Sequence, residues 1–282
     1  ENVANLPPNL MILWQKQASA KWLAANEARL EKLAGSNLAI ITRPGGARSI
    51  AQIVCSRRRQ AETLRRRFGG TIQMQPRNWL HTSRPHPPIR IGRRLEVVSE
   101  PQDSDSARPQ LIIPAAGAFG TGEHATTAMA LRLLEQVTRN LRSGWRLLDA
   151  GTGAGILALA ARRLGAAEVL GLDNDPRAIA TARGNARLNG VTRAKFVTGD
   201  ILQLKTGGHF EVVTANLFSE LLIEALPVFR RTLAGGGGAL IVSGILREQA
   251  AAVIRALAGA GFQLEKERRR GKWTALLATR KS

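Results

Sequence analysis

The stretch RLLDAGTGAG at residues 146–155, running from Arg146 to Gly155, decides how the rest of the chain is read. Leu147 and Leu148 belong to a short apolar run of the kind that forms a buried parallel strand, and Asp149 sits at its C-terminal end. Gly151, Gly153 and Gly155 crowd the turn that follows, where a missing Cβ lets the backbone pass close beneath a ligand. The next segment, ILALAARRLG, is apolar at helical spacing and stops at Gly165, a residue suited to leaving a helix. Strand, glycine turn and helix make the first unit of a Rossmann-like nucleotide fold.

What the turn binds depends on its neighbours. A dinucleotide fingerprint reads G-x-G-x-x-G and aims a helix N-terminus at a pyrophosphate. Here the spacing is G-x-G-x-G, with an acidic residue two positions before the first glycine. This resembles motif I of the class I S-adenosylmethionine (SAM) methyltransferases, whose cofactor carries no phosphate. Asp149, Gly151 and Gly153 are therefore candidate cofactor-binding residues. Asp173 ends the next expected strand, about 20 residues after the glycines, where a carboxylate can accept hydrogen bonds from ribose hydroxyls. Asp175-Pro176 then reads as an N-cap followed by a first-turn proline. Asp200 closes the third expected strand and is a candidate either for the adenine end of the cofactor or for a plain cap. Asn216 ends the fourth, in TANLF at 214–218, on the side of an open parallel sheet that faces the ligand crevice. Its carbonyl oxygen can accept an N–H from an acceptor amine and orient the lone pair without attracting a permanent cation, which makes Asn216 the catalytic candidate.

The whole chain bounds the reading. At 282 residues, 44% hydrophobic and 22% charged, it has the composition of a globular protein with ample core. No apolar run approaches the ~20 residues of a membrane span. No signal-peptide pattern is present, so a cytoplasmic location and no membrane partner are expected. Cys55 is the single cysteine, which excludes an internal disulfide and a cysteine-based metal cluster, and no metal is expected. The net charge of +20 is densest in residues 1–100, which carry 17 Lys or Arg against 6 Asp or Glu. Such a field favours polyanions such as ribosomal RNA, or reflects nothing more than arginine-rich composition. No feature sets an oligomeric state, and a monomer is the expectation.

Residues 1–98 read as a small α+β module. A roughly helical stripe covers 9–34; LAIITR (38–43), SIAQIVC (49–55) and TIQMQ (71–75) read as strands, and RRRQAETLRRRF (57–68) as a basic helix stopped by Gly69-Gly70. Its two arginine triplets suit RNA phosphates or a merely solvated face. IRIGRRLEVV (89–98) reads as a further extended stretch, and residues 99–110, SEPQDSDSARPQ, as a linker or surface loop. From 111 to 282 a clear helix, AMALRLLEQVTRNL, precedes seven strands separated mostly by five helical segments. The last two strands, 262–269 and 273–279, are joined by Gly271-Lys272 as a hairpin. The expected fold is thus α/β: a class I methyltransferase Rossmann-like sheet of seven strands, the last antiparallel, behind a smaller N-terminal α+β domain.

The segment Phe119-Gly120-Thr121-Gly122-Glu123-His124-Ala125-Thr126-Thr127, together with DAGTGAG, GLDNDP and ANLF, is similar to the PrmA family over about residues 109–282. Members methylate amino groups of protein eleven of the large ribosomal subunit. The resemblance implies a SAM-dependent protein N-methyltransferase acting on Lys side chains or an N-terminal amine of that ribosomal protein. It assigns Thr127, Gly151, Asp173 and Asn216 to cofactor contacts, and Phe119, Thr121 and Gly122 to a loop near the methionine end. His124 reads as a structural hydrogen-bonder of that loop rather than a general base. This chain departs from the family in having Asn216-Leu217-Phe218 where Asn-Ile-Leu is usual, and in an N-terminal third that matches poorly. Two other functions compete. An RNA methyltransferase is one, although the Asn/Asp-Pro-Pro-aromatic clamp of adenine N6 enzymes is missing at Asn216-Leu217-Phe218-Ser219. A non-catalytic RNA- or ribosome-binding module on the same fold is the other.

Overall fold

The structure, a computed structural model, describes residues 10–34, 38–42, 48–55, 57–76, 88–101, 108–114, 124–205 and 209–281. The chain divides into two units, Glu1–Thr82 and Ser83–Ser282.

The first unit runs β1 (Leu10–Ser19), α1 (Ala20–Ala34), β2 (Leu38–Thr42), β3 (Arg48–Cys55), α2 (Arg58–Phe68) and β4 (Thr71–Pro76). Its strands lie in the order β2-β3-β1-β4 and every pairing is antiparallel, the split βαβ pattern of ferredoxin-like modules. Registered pairs Ile12–Cys55 and Trp14–Ile53 put apolar side chains on one face, where Leu23, Leu30, Ala61 and Leu64 of the two helices cover them. Gly69 leaves α2 at φ +71, as the glycine pair anticipates.

The helical reading of 9–34 is half wrong, because residues 10–19 form the strand β1. Ile12, Trp14 and Ala18 are buried at the period of a strand, but β1 is a central strand and Leu13 on its other face is buried as well. A strand apolar on both faces imitates a helical stripe. The helix begins only where Trp22, Leu23, Leu30 and Leu33 resume the pattern.

The second unit opens with β5 (Ile89–Ile91) and β6 (Leu95–Val98), an antiparallel pair, with β7 (Gln110–Ile112) parallel to β6. Residues 89–98 thus belong here and not to the N-terminal module. Ile91, Leu95 and Val97 are buried in the same core as Leu111, Met129 and Leu133, so they are cemented to the later sequence. Then come α3 (Ala125–Thr138), β8 (Arg146–Ala150), α4 (Ile156–Arg163), β9 (Glu168–Asp173), α5 (Pro176–Leu188) and β10 (Ala194–Thr198). After a 3-10 turn at Ile201–Gln203 follow β11 (Val212–Asn216), α6 (Ser219–Thr232), β12 (Ala239–Leu246), α7 (Ala250–Gly259), β13 (Phe262–Arg270) and β14 (Trp273–Arg280). The five helical segments expected between the strands are four α-helices and this short turn.

Seven strands form one sheet in the order β10-β9-β8-β11-β12-β14-β13, parallel except for β14, which runs against both neighbours. Neighbouring residues alternate between its two cores: Leu147 and Val212 pack with α3, α4 and α5, while Leu148 and Val213 pack with α6 and α7. Strand order reverses between β8 and β11, and a crevice opens at the carboxyl ends of the strands on either side of such a switch point. Among the described residues no helix is long and apolar enough to cross a membrane.

Candidate active site

A cavity of about 370 Å³ lies at that switch point. Its described lining draws Thr127 from α3, Gly151 to Gly153 from the turn after β8, Asp173 and Asn174 from the end of β9, Asp200 after β10, and Asn216 to Phe218 after β11. Ile156, Leu157, Leu172, Ile201 and Leu221 supply apolar walls.

The glycine turn is held from several sides. The Gly151 and Thr152 N–H groups both donate to the Leu172 carbonyl, at 2.8 and 2.9 Å, which docks the turn on the end of β9. Gly151 has φ +69, and a Cβ there would lie 2.3 Å from Leu217 Cδ2. Gly244 of β12, at φ +87, leaves room for the Leu217 carbonyl, which an added Cβ would meet at 2.4 Å. Leu217 therefore fits between two glycines, and the backbone that carries Asn216 is fixed with it. Asn185, buried inside α5, donates to the Ala154 carbonyl at 2.8 Å and ties the turn to that helix.

Asp173 has structural work that the sequence did not reveal. Its Oδ2 accepts from Gly153 N–H at 2.8 Å and its Oδ1 from Asp175 N–H at 3.0 Å. Each oxygen retains a lone pair, and the carboxylate borders the cavity, so a hydroxyl donor still finds an acceptor there. Asp175 caps α5 through Arg177 N–H at 2.8 Å, as expected. Asp200 likewise caps the 3-10 turn, accepting from Leu202 N–H at 2.9 Å, and also borders the cavity.

Asp149 is not among the cavity-lining residues. It is 1% exposed, with its carboxylate bonded to the hydroxyls of Thr152 at 2.6 Å and Thr214 at 2.7 Å. Burial pushes its pKa up to about 6, against the two threonine bonds, and the nearby Asp173 charge adds to the rise. The two hydroxyls are the partners sequence reading missed; both are threonines in or beside the strands that flank the switch point.

Asn216 donates from Nδ2 to Thr127 Oγ1 at 3.4 Å, and its carbonyl oxygen has no donor among the described residues. Phe218, at 77% the most exposed of the large apolar side chains described, stands at the cavity mouth. His124 Nδ1 lies 2.7 Å from Thr126 Oγ1, and its ring meets the Trp273 ring edge-on at 5.1 Å. Burial lowers the imidazole pKa and Lys272 lowers it further. Ser243 Oγ donates to the Thr126 carbonyl at 3.0 Å, so β12 secures the same helix start. Phe119, Thr121 and Gly122 lie outside the described residues.

The lining tests which nucleotide fits. In a chain of net charge +20, the described wall of this cavity carries two carboxylates and no Lys, Arg or His. The carboxylates suit the ribose hydroxyls and the cationic centre of a nucleoside that carries no phosphate. The donor and acceptor set therefore fits SAM.

The family model described as Ribosomal protein L11 methyltransferase (PrmA) matches residues 25–281. The chain is 41% identical over 198 residues to the ribosomal protein L11 methyltransferase of Pelotomaculum thermopropionicum, covering 69% of this chain and 63% of that one. It is 42% identical over 172 residues to the protein of the same name from Thermus thermophilus, covering 61% and 65%. It thus spans a little under two thirds of the length of these curated relatives. The solved ribosomal protein L11 methylase of Lactobacillus delbrueckii subsp. bulgaricus superposes with a TM-score of 0.60 at 30% identity, over 70% of this chain and 99% of that one. With a class I methyltransferase sheet and a match across both units, the chain belongs to the ribosomal protein L11 methyltransferase (PrmA) family.

Proposed function

We propose that the protein is a SAM-dependent protein N-methyltransferase acting in the cytoplasm on amino groups of ribosomal protein L11. The observation that carries this reading is the switch-point cavity walled, among the described residues, by Asp173 and Asp200 without a cationic side chain, with Asn216 in its lining. When bound, SAM supplies an electrophilic methyl group on a sulfonium. Asp173 would accept the ribose hydroxyls, with Gly151 and Gly153 giving backbone access, Asp200 reaching the adenine end and Thr127 closing the wall. The position of Asn216 suits an acceptor amine: Nδ2 is engaged by Thr127, and the carbonyl oxygen is left to accept an N–H. An acceptor Lys, with a reference pKa of ~10.4, must lose its proton first. No dedicated base is invoked, because His124 is tied to Thr126 and Trp273 as part of the scaffold and water suffices as proton acceptor.

Asn216→Ala tests the assignment. Transfer of label from SAM to free L11 is expected to fall at least tenfold in kcat, a larger loss than that in SAM affinity, which is the signature of a group that orients the acceptor besides touching the cofactor. An unchanged kcat contradicts it. Ribosomal RNA as a contact, through the basic surface, is a second partner that the +20 charge favours. The missing prolines after Asn216 disfavour RNA as the methyl acceptor.

A further inference from the structure

The sheet's edge carries a cationic row with which no acid among the described residues forms an ion pair. β13 is an edge strand, bonded only to β14, and Lys266, Arg268 and Arg270 pair with Leu277, Ala275 and Trp273. Ala275 and Leu277 lie in the core beneath α3, so the three cations share that face. Lys266 Nζ donates to Gln136 of α3 at 2.9 Å, which fixes the side. Arg132 stands one helical turn earlier on α3. Its guanidinium pKa is lowered by burial and then by the charges of Arg270 and Arg268.

Nearby acids are engaged elsewhere. Glu135 holds Arg139 through two bonds of 3.0 and 2.9 Å, and Glu267 on the opposite face of β13 holds Arg269. Arg268 Nε is buried with no hydrogen-bond partner among the described residues, a state that ordinarily destabilises the fold. Charges on an edge strand do discourage edge-to-edge pairing. A single edge charge serves that purpose, and three on one face beside a fourth cation exceed it.

We infer that Arg132, Lys266, Arg268 and Arg270 form a docking strip for the phosphate backbone of single-stranded RNA. Guanidinium forks bind phosphate oxygens bidentately, and same-face residues on a strand repeat at about 6.7 Å, which presents a linear series of cations to a linear series of anions. The choice of RNA over an acidic protein segment rests on the ribosomal reading above, since RNA is the polyanion of that particle. Arg270 pairs with Trp273 at the strand end from which β12 leaves toward Leu246, so the strip reaches the end of the sheet where the cavity opens.

The test is fluorescence anisotropy of a labelled oligouridylate across a salt series, with the wild-type chain, Arg270→Gln, Arg268→Gln/Arg270→Gln, and Arg65→Gln/Arg66→Gln/Arg67→Gln on α2. Loss of two phosphate contacts is expected to reduce the slope of log K against log salt by about 1.4, and the single variant by about 0.7. SAM titration of each variant verifies an intact fold. A wild-type slope in both β13 variants overturns the strip, and so does loss of binding only in the α2 variant. Binding of polyglutamate but not of RNA by the wild type overturns the choice of partner. Methyl transfer to free L11 is measured alongside, and its failure strikes the enzymatic reading separately.

Discussion

At the scale of single residues, two strand-end carboxylates make different commitments. Asp149 is held neutral-leaning by burial, with a folded pKa of about 6 against 3.8. The folded state therefore binds this proton more tightly than the unfolded chain, and stability falls as pH rises from 3.8 to about 6, then levels. The span corresponds to about 3 kcal/mol. Thermal melts of Asp149→Asn are expected to lack this loss between pH 4 and 6, whereas the wild type shows it; parallel curves for the two proteins contradict the assignment. Asp173 differs in keeping lone pairs for a ligand while bonding two backbone amides. The sequence marked both aspartates as cofactor residues because both end a strand beside the glycine turn. Only their surroundings separate them: Thr152 and Thr214 close over Asp149, and no periodicity announces that two hydroxyls will converge from different segments.

At the scale of elements, the unit β8–turn–α4 was the most legible, since apolar run, glycine spacing and helical period agree over 20 consecutive residues. Its glycines are demanding. Gly151→Ala is expected to cost at least about 2 kcal/mol in denaturant unfolding, from the positive φ together with the Leu217 contact, and to weaken SAM binding; a cost under half a kcal/mol contradicts that packing. Helix α5 hides a second device. Asn189 Oδ1 accepts from Ile112 N–H and its Nδ2 donates to the Ile112 carbonyl, each at 2.7 Å, pinning β7 to the helix. Asn185 inside α5 is a poor choice for a helix and was the available sign of such work, whereas Asn189 at the C-cap reads as an ordinary helix end. Asn189→Ala is expected to destabilise by about 2–3 kcal/mol in a urea titration. β1 was misread for the opposite reason, an excess of apolar residues that blurred its period of two.

At the scale of the molecule, the topology followed from alternation of strands and helices, while the division after Thr82 did not. The polar run at 99–110 reads as a linker or a surface loop; β7 begins inside it at Gln110 and pairs with β6, so both ends of the run belong to one unit. Charge is distributed unevenly too: α2 and β13 carry arginine runs, and the described wall of the cavity carries two acids. The enzymatic reading has a pH consequence for the entire reaction. With no dedicated base, kcat/KM toward L11 is expected to rise about tenfold per pH unit below the acceptor pKa. A plateau near pH 8 marks an N-terminal amine, and a continued rise toward pH 10 marks Lys.

The most direct measurement is calorimetric titration of SAM into the wild-type protein and into Asp173→Ala. A single site per chain in the wild type, weakened about 10- to 100-fold in the variant through loss of charge-assisted hydrogen bonds, is the expected result. Absence of SAM binding by the wild type, or equal affinity in the two proteins, contradicts the assignment of the switch-point cavity.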